Sequence, residues 1–167
     1  MKKVILIAFS FLLFASSTNA QIGIRFDDYP VTKIYTGKNA RVVINNENKL
    51  FRTRLKEAVK NEKVNFAGHY ILSQIGCGAG CLINTIIDAK TGKTFDIPFS
   101  ICCTLDFDYP EQTRDLQSTN FRVDSKLLIF IGIKNETSSY GAYFYKFEND
   151  KLIFVKFQKL NLKKESN

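Results

Sequence analysis

The sequence predicts an α+β domain, an antiparallel β-sheet of about six to eight strands with one helix packed on it. Two patterns carry that prediction. From residue 66 onward, β-branched and aromatic runs alternate with turn-forming clusters, as in consecutive hairpins. Only one stretch, about 47–60, repeats its apolar residues at helical spacing.

The chain begins with Lys2 and Lys3, an uncharged apolar run from Val4 to Ala15, and then Ser16-Ser17-Thr18-Asn19-Ala20. A positive start, a short apolar core and small residues before a cleavage point are the three parts of a secretory signal. The run is shorter than the ~20 apolar residues a spanning helix needs. Residues 1–20 are therefore expected to be removed, leaving one disulfide-containing domain over 21–167, periplasmic or secreted and with no later transmembrane segment. No cysteine follows the cleavage point, which disfavours a lipid anchor.

Residues 22–44 read as one or two strands, interrupted at Asp27-Asp28-Tyr29-Pro30 and Thr36-Gly37-Lys38-Asn39, with Arg41–Ile44 the most strand-like part. Asn45 and Asn46 offer N-caps for the helix. Its stripe of Phe51, Leu55, Ala58 and Val59 leaves Arg52, Arg54, Lys56, Glu57 and Lys60 largely on the other side. Phe66–Ile75 and Leu82–Ile87 follow as strands. Asp88–Lys93 has hairpin-turn chemistry, with Gly92 free to take positive φ, and Thr94–Ile97 returns. Residues 108–120 are polar and read as a loop. Leu127–Ile133 is apolar on both faces, which requires cover on each side. Tyr140–Phe147 and Leu152–Phe157 flank the turn Glu148-Asn149-Asp150-Lys151, and the chain ends in a polar tail.

The four cysteines form two couples, Cys77 with Cys81 and Cys102 with Cys103. In an oxidising compartment they read as disulfides. Cys77–Cys81 closes easily around Gly78-Ala79-Gly80, and a bond from each member of the first couple to one of the second is an open alternative. Adjacent Cys102 and Cys103 reach disulfide geometry only with a distorted peptide.

The stretch Asn65-Phe66-Ala67-Gly68-His69-Tyr70, followed by Gly76-Cys77-Gly78-Ala79-Gly80-Cys81, resembles a family of small exported bacterial proteins. The resemblance reaches back to Phe51–Leu55 and forward through Thr91-Gly92-Lys93 to Phe121–Leu128. It implies export and brings no activity with it.

Several chemistries can be weighed on the residues. His69, the single histidine, could serve as base to Cys77 or Cys81 in a thiol-dependent hydrolase or transferase. Oxidation of those cysteines argues against that, so no catalytic residue is assigned. A thiolate zinc site fits adjacent Cys102 and Cys103 poorly, since strand neighbours face opposite sides. Copper is weakened because Met1 is the one methionine. Asp106, Asp108 and Glu111 lack the ligand count of a calcium loop. The Gly-rich turn at 76–80 could cradle an anion but has no P-loop pattern after it. Tyr143, Tyr145 and Phe147 share one strand face, more simply core than binding surface. Asn135-Glu136-Thr137 matches a glycosylation sequon, a pattern frequent by chance. No metal or cofactor is expected. The net charge of +8 comes from lysines scattered along the chain, most simply a solubility feature. Export makes nucleic acid an improbable partner. The expectation is a non-enzymatic exported binding protein, of inhibitor or immunity type, directed at an envelope protein or cell-wall component.

Overall fold

In a computed structural model the described residues are 23–78, 80–102, 118–136 and 138–160. The amino-terminal signal, the 108–117 loop and the polar tail of the sequence reading fall outside them, as do Asp106, Asp108 and Glu111. The architecture is α+β: one seven-stranded antiparallel sheet and one helix.

The strands are β1 (Tyr70–Gly78), β2 (Cys81–Asp88), β3 (Thr94–Cys102), β4 (Thr119–Phe121), β5 (Leu127–Lys134), β6 (Gly141–Glu148) and β7 (Lys151–Lys159). They run in the order β1-β2-β3-β5-β6-β7, with β4 added beside β5. Among the described residues β3 and β5 meet over two residue pairs, Ile101 with Lys134 and Cys102 with Ile133. Farther along that edge Leu128, Ile129 and Phe130 pair with β4, so two hairpin arrays join where β3 gives way to β4.

The sheet is irregular at β3 and turns tightly at its far end. Pro98 cannot donate to a ladder, and β3 shifts register around it, between the pairs Ile83–Ser100 and Thr85–Asp96. Asn149 and Asp150 both take positive φ, closing the β6–β7 hairpin with a tight two-residue turn. Tyr70 in β1 then packs its ring 5.0 Å from that of Phe147 in β6. Four flat strand spacings would separate them by roughly 19 Å. The sheet therefore folds over itself around one interior, filled by Phe66, Tyr70, Phe99, Phe130, Tyr143, Tyr145 and Phe147 among others. Edge-on ring contacts such as Phe99 with Phe130 suit the aromatic quadrupole.

A 3-10 turn, Lys49–Phe51, leads into α1 (Arg52–Asn61). Leu55 and Ala58 are buried against Ile71, Ile75, Ile87 and Ala89 on the outer face of β1 and β2, the stripe that the spacing predicts. The helix starts slightly later than expected because Asn45 caps a preceding turn, accepting from the Glu47 and Asn48 backbone N–H groups. On the outer face of β5 and β6, Ile131 and Phe144 pack with Ile24 from the amino-terminal segment, so the cover that β5 requires there comes from chain without regular structure.

Several expectations are corrected. Residues 23–44 form no strand. They make a 3-10 turn (Phe26–Asp28) and an extended arm, held where the Ala40 and Val43 N–H groups donate to the Ala89 and Gly92 carbonyls. Phe66–His69 is a turn rather than the start of β1, because Ala67 and Gly68 take positive φ. Thr119–Phe121, partly inside the expected loop, is β4. Gly92 does adopt positive φ, and a Cβ there would also collide with the Arg41 carbonyl.

Phe66 is fully buried and touches the rings of Tyr70, Phe121 and Phe147. Phe66→Ala should cost about 3–5 kcal/mol, read as a lowered denaturant midpoint with an unchanged slope.

Candidate functional site

Antiparallel pairing places the sequence-selected residues at two ends of one hairpin. Tyr70 pairs with Asp88 at one end of β1–β2, and Gly78 with Cys81 at the other. His69 precedes the first end. Eight strand residues at ~3.3 Å each separate it from Cys77 by about 25 Å. Cys77 and Cys81 are bonded to each other, with Cα atoms 5.1 Å apart. The Cys/His pair of a thiol enzyme is therefore neither close nor chemically available. The same bond removes the cross-couple pairing. Cys102, buried at the end of β3, is also disulfide-bonded, to a partner outside the described residues, where Cys103 also lies.

At the His69 end, the motif Asn65–Tyr70 is mostly a structural junction. The Asn65 side chain accepts from the Leu72 N–H (2.7 Å) and donates to the Leu72 carbonyl, standing in for a neighbouring strand. Gly68 donates to the Val123 carbonyl and accepts from the Tyr35 N–H, so the arm and the β4–β5 connection meet there. His69 is half-buried, its ring 4.0 Å from that of Tyr70. Desolvation and then the nearby Lys90 charge lower its pKa, partly offset by Asp88 and Asp150. The Tyr70 hydroxyl donates to Asp150 Oδ1 (3.1 Å), and Lys93 reaches Asp150 Oδ2 (3.2 Å). Burial, followed by the Asp150 bond, raises the Tyr70 pKa. The Tyr70, Lys93 and Asp150 groups form a latch between the β1–β3 array and the β6–β7 turn.

The disulfide end is different. Gln74, Gly76, Cys77 and Gly78 are all exposed. Gly78 and Gly80 take positive φ, which the tight turn requires. Gly76 does not, and a Cβ on it would meet nothing within 4 Å. Neither backbone conformation nor packing within the described chain demands glycine there, although glycine weakens a strand. β1 is also an edge strand. Because antiparallel residues alternate in the side to which they hydrogen-bond, Gln74 and Gly76 point their backbone groups the same way as Leu72, away from β2. Asn65 satisfies Leu72. No bond to the backbone of Gln74 or Gly76 on that free edge is present among the described residues.

Tyr143, Tyr145 and Phe147 face the interior and are buried, so they are core. Among the described residues no three His, Cys, Asp or Glu side chains group as metal ligands, and no helix is long and apolar enough to cross a membrane. Sequence reasoning missed the clamping role of Asn65, and of Asn48, which is buried and donates to the Val43 carbonyl and Thr94 Oγ1. In sequence these asparagines look like ordinary turn formers. Compared with family models, curated proteins and solved structures, the chain matches none.

Two measurements check this geometry. Alkylation of the oxidised protein should leave Cys77, Cys81 and Cys102 unlabelled until reductant is added. The lowered pKa of His69 means that, just below pH 6.5, the unfolded chain takes up a proton the folded chain refuses. Stability should therefore fall as pH drops from the unfolded value toward the folded one, and His69→Gln should flatten that part of the curve.

Proposed function

We propose that the protein is an extracytoplasmic, non-enzymatic binding domain of inhibitor type, and that the disulfide-closed β1–β2 tip is the element it presents to an envelope protein. The observation that carries this reading is Gly76: exposed, without a steric or torsional reason to be glycine, on a free strand edge beside the Cys77–Cys81 bond. A bare edge lets another backbone come close and add its hydrogen bonds to the sheet. The disulfide limits how far the tip can move, so less ordering entropy is lost on binding. The extracytoplasmic placement is supported by the same oxidised pair and by the signal-like pattern of residues 1–20. A thiol-dependent activity has no comparable support, with both sulfurs of the tip consumed in the bond.

Site-specific photo-crosslinking in the cells that make the protein tests this. A photoreactive residue at Gln74 should give a discrete adduct with one envelope protein, and Gly76→Val should abolish it without lowering the unfolding midpoint. The reading is overturned if the Gln74 probe gives no adduct, or if Gly76→Val leaves the adduct unchanged. Replacing both Cys77 and Cys81 with Ala should cost about 2 kcal/mol, because the closed loop is short.

A further inference from the structure

Away from the tip, the fold gathers cations that the sequence leaves dispersed. The extended arm and α1 run past one another with a cleft of about 530 Å³ between them. Lys38 and Arg41 stand on the arm side, Lys56 and Lys60 on the helix side. A second cleft of about 480 Å³ meets the first at Lys38 and Asn39 and adds Lys63, so the pair make a trough interrupted where the Asn39 side chain crosses to the helix. All five cations are exposed, and none makes an ion pair among the described residues. No aspartate or glutamate lines either cleft. The carboxylates of this stretch are engaged elsewhere: Glu57 on α1 faces Arg54, and Glu62 just after the helix accepts from Asn65.

The walls are fixed rather than incidental. Asn39 donates to the Val59 carbonyl (2.9 Å) and the Glu62 carbonyl (2.8 Å), tying the arm to the carboxy-terminal end of α1. Val42 and Val59 are partly buried beneath the cations and pack on the helix–sheet core. Holding five like charges around one trough without counter-charges costs stability by self-repulsion, a cost that a bound anion would relieve.

We propose that this trough binds a linear polyanion, a chain bearing closely spaced phosphate or carboxylate groups. This goes beyond the tip reading and does not depend on it. Lys56 and Lys60 repeat along the helix every ~6 Å, opposite cations on the facing wall, which matches a chain of charges better than a single ion. Four of the five cations are lysines, point charges without the forked geometry that selects one oxyanion shape, so charge density is what the trough reads.

The test uses the oxidised protein and three probes: inorganic polyphosphate, poly-glutamate, and vesicles of anionic phospholipid. Two double variants carry the same change in net charge, Lys56→Glu with Lys60→Glu in the trough and Lys151→Glu with Lys156→Glu on β7. The unmodified protein and the β7 variant should bind polyphosphate or poly-glutamate alike, weakening as salt rises, while the trough variant binds at least about tenfold more weakly. Binding to polyphosphate alone, or to poly-glutamate alone, identifies which anion chemistry the trough takes. Equal weakening in both variants shows a response to total charge, and preference for vesicles shows a membrane surface. Either result overturns the proposal, as does no binding to either polymer. A circular dichroism melt of each variant separates lost binding from lost fold.

Discussion

A seven-stranded sheet with an apolar face must bury that face, and the described residues have one ten-residue helix to offer. The helix is already committed to the outside of β1 and β2. The sheet covers its inner face with itself, curling until Tyr70 and Phe147 touch. Everything positioned in the molecule depends on that closure. β3 shifts register around Pro98, and the two arrays join where β3 gives way to β4 along β5. Tyr70 and Lys93 then fasten the closed edge to Asp150. The buried aromatic and aliphatic side chains of that interior, Phe66 and Phe130 fully buried among them, supply the driving force, with the latch setting alignment.

The closure also explains why so much chain without regular structure is well held. The arm contributes few ladder bonds, so asparagine side chains replace them. Asn39 fixes the arm to α1, Asn48 fixes the arm to β3 through Thr94, and Asn65 extends the β1 edge. An asparagine offers both a donor and an acceptor on a short stem, and so can mimic a peptide group where no strand runs. The consequence is a set of rigid surfaces at small cost in residues. One of them is the trough and another is the junction beneath His69.

What the sequence made legible was local. The Phe51-Leu55-Ala58-Val59 stripe, the Asn149-Asp150 turn, the Asp88–Lys93 turn with positive-φ Gly92, and the both-sided apolarity of β5 are each written within about ten residues, and each is found. The failures are non-local. Arg41–Ile44 has strand-like composition, but Val43 and the preceding Ala40 donate to the carbonyls of Gly92 and Ala89, which no window around residue 41 contains. Phe66–His69 reads as strand because Ala67 gives no warning of its positive φ. The five trough cations sit on two segments of different conformation, so their charge looked dispersed until the arm lay along the helix. The candidate site was half legible: the Cys77–Cys81 turn could be drawn from spacing, whereas its distance from His69 follows only from the length of β1.

The tip and the trough differ in the physics by which they would act. The tip carries little charge and offers backbone groups and shape, interactions that work only at contact and decide how long a complex lasts. The trough offers charge, felt over about a Debye length of 8–10 Å, which governs encounter more than residence. A protein with only the first would wait for a rare correct collision, and one with only the second would hold many anions loosely. The bare strand edge lies on the β1–β2 hairpin and the cations lie on the arm and helix packed against that hairpin's outer side, so both belong to one part of the fold. Charge can then concentrate the protein along a polyanionic chain while the edge retains its selectivity for a backbone partner.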